Sequence, residues 1–159
     1  MPPRMTRAEF AEQYPLEQML HEIEHALAGR FYYLAIVVTV TLPDVCAALE
    51  SEDGKACPNR FRAWYDEHLA AALRPLTAED CYSFRCGVLP PDVLRGGPIR
   101  MDDVHAYNVV EFCDVFIGAV RRWFEENREH ANLRANLPRL VQFRPDGMTP
   151  YIRGLPVIG

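Results

Sequence analysis

Apolar residues recur at three- and four-residue steps through Leu16, Met19, Leu20, Ile23, Leu27, Phe31 and Leu34, a spacing that lines them along one side of an α-helix. Pro15 suits the first turn of that helix. The pattern then runs into "FYYLAIVVTVTL", Phe31 to Leu42, where alternation gives way to a continuous apolar stretch. Ile36, Val37, Val38, Thr39, Val40 and Thr41 are all β-branched and would fit a buried strand; the helical pattern entering the stretch favours helix. At 12 residues, two of them threonine, the stretch is shorter than the roughly 20 needed to cross a bilayer. It reads as core, and no membrane contact is expected.

Pro43 and Asp44 open a short helix, "PDVCAALE", with proline where a missing N–H does no harm. The polar stretch "SEDGKACPN" breaks the chain. Asn59 is placed to cap a helix through Leu73, with Phe61, Trp64, Tyr65, Leu69 and Leu73 as its apolar side and Arg74-Pro75 as its end. Thr77 followed by Asp80 forms a capping-box pattern, which predicts helix from Ala78 to Leu89. "PPDVLRGGPIR" holds three prolines and two glycines in 11 residues and reads as a loop. Beyond it, Val109, Phe112, Cys113, Phe116, Ile117, Val120, Trp123 and Phe124 repeat at helical steps, with Glu111, Asp114, Arg121, Arg122 and Glu125 on the other side. The final segment carries Pro138, Pro145, Pro150 and Pro156 and is expected to be extended, laid across the bundle by "LVQF" and "YIRGLPVI". The whole is an all-α bundle of four or five helices in a single domain, residues 1–159, with 131–159 as an extended Pro-rich tail.

Composition narrows the setting. With 159 residues, 49% hydrophobic and 25% charged, the chain has the make-up of a soluble protein with one core. Its five cysteines, Cys46, Cys57, Cys81, Cys86 and Cys113, contain no C-x-x-C pair, and the N-terminus lacks the zones of a secretory signal, so a reducing cytoplasm is expected. A formal net charge of −5 excludes a generally basic nucleic-acid-binding surface, yet the balance is uneven. Residues 1–94 carry 8 basic and 14 acidic groups, residues 95–159 carry 9 and 8. In the tail, Arg134, Arg139, Arg144 and Arg153 face Asp146 alone, with Phe143 and Tyr151 interleaved. Arginines on a solvated extension are the commoner explanation; Arg139 and Arg144 are the candidates for phosphate contact.

One motif suggests metal chemistry. "HEIEH", His21 to His25, has the H-E-x-x-H spacing in which two histidines one turn apart bind zinc and the glutamate, here Glu22, activates a water. At 100° per residue, however, the face made by Leu16, Leu20, Ile23 and Leu27 lies nearly opposite His21 and His25. The extended pattern also fails, because Ala28 and Phe31 stand where it requires glycine and histidine. A solvated polar face is therefore the reading adopted, with a zinc hydrolase as the alternative it displaces. Cys81 with Cys86, or Cys57 with a histidine, matches no standard zinc module. No metal or other cofactor is expected.

The segment "EDCYSFRCGVL", with "FYYLAIVVTVTLPDVCAALES" and "FRAWYDEHL" before it, resembles a group of uncharacterised bacterial proteins over some two-thirds of the chain. The stretch equivalent to "FRCGVLPP" in that group carries an R-x4-6-H signature similar to the HEPN superfamily, small all-helical domains that often act as metal-independent ribonucleases in toxin–antitoxin and phage-defence systems. The resemblance implies a composite site assembled across a homodimer, with arginine and histidine sharing the activation of the ribose 2′-hydroxyl, protonation of the leaving oxygen and steadying of the phosphate. Arg85 stands at the arginine position. Leu89 and Pro90 stand where the histidine belongs, and proline has no side-chain proton to exchange. His105, beyond the loop, and His68 are the candidate replacements. Arg62 and His68 also satisfy the loose signature but project about 120° apart on one helix. The expected function is thus a degenerate HEPN-like domain that dimerises and binds a protein partner or RNA, the latter through Arg85, Arg139 and Arg144. A ribonuclease with a replaced histidine is the alternative. Arg85 also has a plain structural reading: a helix-end arginine paired with a carboxylate such as Asp80 or Glu79, or reaching carbonyls near the helix C-terminus.

Overall fold

The computed structural model describes residues 7–87, 108–141, 143–144, 146–148 and 150–158. Over these residues the protein is all-α, with only short strands near the C-terminus. Helix α1, Arg7–Ala28, buries Leu16, Leu20 and Ile23, the face the apolar spacing predicts. It begins upstream of the expected start, so Pro15 lies inside it rather than in its first turn. One proline removes a single ladder hydrogen bond, and the helix-forming residues on both sides carry the helix across.

The expected passage from this helix into the apolar run is interrupted at Gly29 and Arg30. Phe31 N–H donates to Ala26 O at 2.8 Å and Arg30 N–H to Leu27 O at 3.0 Å, closing α1 with Arg30 in the left-handed region at φ 63°. A Cβ on Gly29 would come within 2.9 Å of the Phe31 ring, so glycine is what lets that ring fold back over the helix end. The β-branched run then forms helix α2, Tyr32–Thr39, instead of a strand. Ala35 and Thr39 are buried there, as is Val40 just beyond, and α2 packs on α1 and on the long helix Val109–Asn127, so tertiary burial decides against the local strand preference.

Helix α3, Leu42–Glu50, follows after a two-residue turn in which the Thr41 hydroxyl donates to Val38 O at 2.6 Å. Pro43 has no N–H to continue α2's ladder, which accounts for the break. Tyr32–Glu50 as a whole is long and apolar enough to cross a bilayer by composition, with mean hydropathy 1.8 over its best window, half of which is buried in the bundle.

Helix α4, Pro58–His68, starts one residue before the expected Asn59 cap. Cys57 is the N-cap and Pro58 takes the first helical position, where its fixed φ is already helical. The helix ends at His68, not Leu73; Leu69 and Leu73 stay buried in the turns beyond it, and the Tyr65 hydroxyl donates to Leu76 O at 2.8 Å to hold that return. Helix α5, Ala78–Arg85, opens on the predicted capping box, Thr77 and Asp80 each bonding the other's backbone N–H. The loop 90–100, Leu89, Pro90 and His105 lie outside the described residues.

Helix α6, Val109–Asn127, is capped by Asn108, whose side chain accepts from Val110 N–H at 2.9 Å and Glu111 N–H at 3.3 Å. It buries Phe112, Cys113, Phe116, Ile117, Ala119, Val120 and Trp123, matching the predicted face. Trp123 and Trp64 meet edge-to-face at 6.0 Å in the centre of the core.

The tail corrects the expectation of an extended segment from 131. Helix α7, Ala131–Asn136, and a 3-10 turn, Leu137–Arg139, come first, because Leu133 and Leu137 sit one turn apart and both bury against the bundle. Only then does the chain extend. Strand β1, Phe143–Arg144, pairs antiparallel with β4, Val157–Ile158, around an inner pair, β2, Gly147–Met148, with β3, Ile152–Arg153. Val141, Tyr151, Leu155 and Ile158 are exposed, so these residues do not tie the segment onto the helices as their apolar character suggests.

Candidate functional site

The resemblance-derived site centres on Arg85 at the C-terminal end of α5. Its Nε donates to the Asp44 carboxylate, which α3 presents from its first turn 41 residues earlier in the chain. Among the described residues Asp44 is the one charged residue that is buried, with 12% of its side chain exposed against 33% for Arg85. Partial burial by itself lowers the pKa of the Arg85 guanidinium; the hydrogen bond and charge of Asp44, together with Tyr82 and Cys86, reverse this and raise it.

The pairing corrects the two carboxylates expected for Arg85. Asp80 is occupied by the capping box, its carboxylate accepting from Thr77 N–H at 2.9 Å and from the Thr77 hydroxyl at 2.7 Å. Glu79 accepts from Arg62 Nε at 2.7 Å. Both expected partners lie in the first turn of α5, while Arg85 lies in its last, so neither faces it along the helix.

Tyr82 organises the cluster. Its ring carries Arg62 Cζ at 4.9 Å and Arg85 Cζ at 5.3 Å from the centroid, and meets Phe61 edge-to-face at 5.3 Å. Two arginines thus share one phenol ring, each with its own carboxylate. The Glu79 hydrogen bond raises the Arg62 pKa as Asp44 does that of Arg85. The arrangement ties α3, α4 and α5 together at one end of α3, and every guanidinium in it is engaged by the protein itself.

The other candidates fall elsewhere. His68 stacks on Trp64 with ring centroids 4.6 Å apart, at the opposite end of α4's last two turns from Arg62. Arg139 donates to Asn136 Oδ1 at 3.1 Å and to Asp53 O at 3.5 Å, beside the loop that follows α3. Arg85 and Arg139 are therefore at opposite ends of α3, whose 9 residues span about 14 Å. Arg144 lies on β1 opposite Val157. Arg85 and Arg139 therefore do not share one cationic surface. His105 lies outside the described residues.

His21 and His25 occupy the exposed face of α1, as the helical projection predicts. His21 Nδ1 is 3.0 Å from Glu24 and its Nε2 3.6 Å from Glu17, and Arg121 of α6 bridges the same two carboxylates at 2.6 Å and 3.0 Å. The histidine is thus part of an ion-pair network joining α1 to α6. Among the described residues, no three His, Cys, Asp or Glu side chains converge as a metal site.

Sequence reasoning missed Asp44 and Tyr82. Asp44 reads naturally as a helix-opening acid, which it also is; no spacing rule connects it to position 85. Tyr82 carries a usable signal, since Arg85 follows it by three residues on one helix. Comparisons of the chain with protein-family models, with curated proteins and with solved structures give no match.

Proposed function

We propose that the protein is a degenerate HEPN-like domain of a bacterial cytoplasm that acts by pairing with itself and holding a partner, in a toxin–antitoxin or phage-defence setting. The observation that carries this reading is the Asp44–Arg85 ion pair. An arginine that steadies a scissile phosphate must offer its N–H groups to the substrate, and Arg85 spends its Nε on a nearly buried carboxylate and its face on Tyr82. Leu89 and Pro90 replace the histidine of the resembling pattern, which removes its acid–base partner as well. What remains is a helical framework with an arginine used as a brace.

A protein partner is favoured over RNA. Arg62, Arg85 and Arg139 are all hydrogen-bonded within the chain, and the net charge of −5 gives little long-range attraction for a polyanion.

The test is incubation of the purified protein with cellular RNA in EDTA, alongside light scattering. The expected result is a dimer that leaves RNA intact. Cleavage that persists in EDTA and vanishes in Arg85→Ala would replace this reading with a ribonuclease whose histidine is supplied elsewhere. One bound zinc per chain, lost in His25→Ala, would replace it with a metal-dependent hydrolase.

A further inference from the structure

Helix α2 is apolar around its whole circumference: "YYLAIVVT" contains no charged residue. Such a helix belongs where both sides are covered. Among the described residues only one side is. Ala35 and Thr39 face the bundle, while Phe31, Tyr33, Leu34 and Val37 are 62%, 81%, 58% and 44% exposed. Tyr33, Leu34 and Val37 lie at i, i+1 and i+4, one continuous outward stripe. Val110, at the start of the neighbouring helix α6, is exposed as well.

We infer that this outward stripe of α2 is the surface through which two copies of the chain pair. The inference rests on the self-association proposed above and names its interface. Size is the first argument. Phe31, Tyr33 and the 40% exposed Tyr32, aromatic residues of about 200 Å² each, supply with Leu34 and Val37 on the order of 500 Å² per protomer, most of the roughly 800 Å² that each partner contributes to a standard interface. The second is charge. In a two-fold pair, residues near the axis meet their own copies, so any charge there meets its like. From Phe31 to Pro43 there is none, and the hydroxyls of Tyr32 and Tyr33 leave polar tips for the rim. A lipid surface fits less well, because interfacial helices set a basic polar face against anionic headgroups, and this chain is acidic overall.

The test is sedimentation of the full chain as wild type, Tyr33→Glu and Val37→Glu. The wild type is expected to be dimeric and each variant to dimerise at least tenfold more weakly with unchanged helical circular dichroism. Mixing Val37→Glu with Val37→Lys should restore pairing, since opposite charges then meet across the axis. If a charge disrupts α2 itself, Tyr33→Ser and Leu34→Gln give the same readout with neutral side chains. A dimer that survives all these substitutions overturns this interface and leaves self-association standing. A mixture that fails to pair overturns the self-facing arrangement. A monomeric wild type overturns both, including one that binds phosphatidylcholine–phosphatidylserine vesicles through the same residues.

Discussion

The indole N–H of Trp123, near the end of α6, donates to the Glu50 carboxylate at the last residue of α3 across 2.8 Å. Seventy-three positions separate the two in the chain. The bond gives a core tryptophan its polar partner and fixes where α3 stops against α6. Glu50→Ala leaves that N–H unpaired in a partly buried place and is expected to cost about 1–3 kcal/mol in urea unfolding. Glu50→Gln keeps an acceptor and should cost less than half as much.

Asn136 is expected to be as important to the other side of the same helix end. Its buried amide donates to Leu49 O at 3.1 Å and Ser51 O at 2.7 Å, satisfying carbonyls that α3 leaves open at its C-terminus. Gly54, at φ 67°, is packed so closely that a Cβ would lie 2.7 Å from Asn136 Oδ1 and closer still to Arg139. Asn136→Ala should destabilise by about 2 kcal/mol, and Gly54→Ala by about 1–3 kcal/mol through backbone strain and crowding. Because the two share atoms, the double variant should lose less than the sum, a coupling that a double-mutant cycle reads directly.

Breaking the Arg85 brace leaves Asp44 buried without its cation. Arg85→Ala is expected to cost about 2 kcal/mol, below the 3–5 kcal/mol of a fully buried pair because a third of the arginine side chain is exposed to screening solvent. Arg85→Lys should not restore the loss, since lysine has no Nε–H to donate and no planar group to lie on Tyr82. Thermal melts of the two variants beside Asp44→Asn would show whether the three fall together.

Arg30 holds a left-handed backbone that glycine adopts without penalty. Arg30→Gly is expected to raise stability by about 0.5–1 kcal/mol, the relieved strain exceeding the added freedom of the unfolded chain. Gly29→Ala should do the opposite, by pushing the Phe31 ring off the end of α1.

Asp53 supplies a pH signature. A hydrogen bond from Arg60, reinforced by the Lys55 N–H and the Ser51 hydroxyl, lowers its carboxyl to about 2. A depressed folded-state value favours the folded state above the unfolded-state pKa, and the benefit disappears as pH falls through the folded value. Wild type should therefore outlast Asp53→Asn in urea at neutral pH, with the gap narrowing below about pH 4 and closing near pH 2.

What was legible along the chain follows the range of the forces involved. The capping box of Thr77 and Asp80, the cap-and-stripe pattern of α6, the buried stripe of α1 and the outward aim of His21 and His25 are set within one or two helical turns, and the fold reproduces them. The break at Gly29 and Arg30, the helical state of the β-branched run and the helical start of the tail were decided by burial against partners that periodicity does not name.

The amino-acid order alone determined that this chain is mostly helical with an apolar centre, and that position 90 has no proton to exchange, since both depend on side-chain chemistry and local spacing. Only the tertiary structure decided that Arg85 belongs to Asp44, Trp123 to Glu50 and Asn136 to the end of α3. A hydrogen bond depends on ångström-scale distance in space, and the 41, 73 and 85 positions between those partners leave no periodic trace in the sequence.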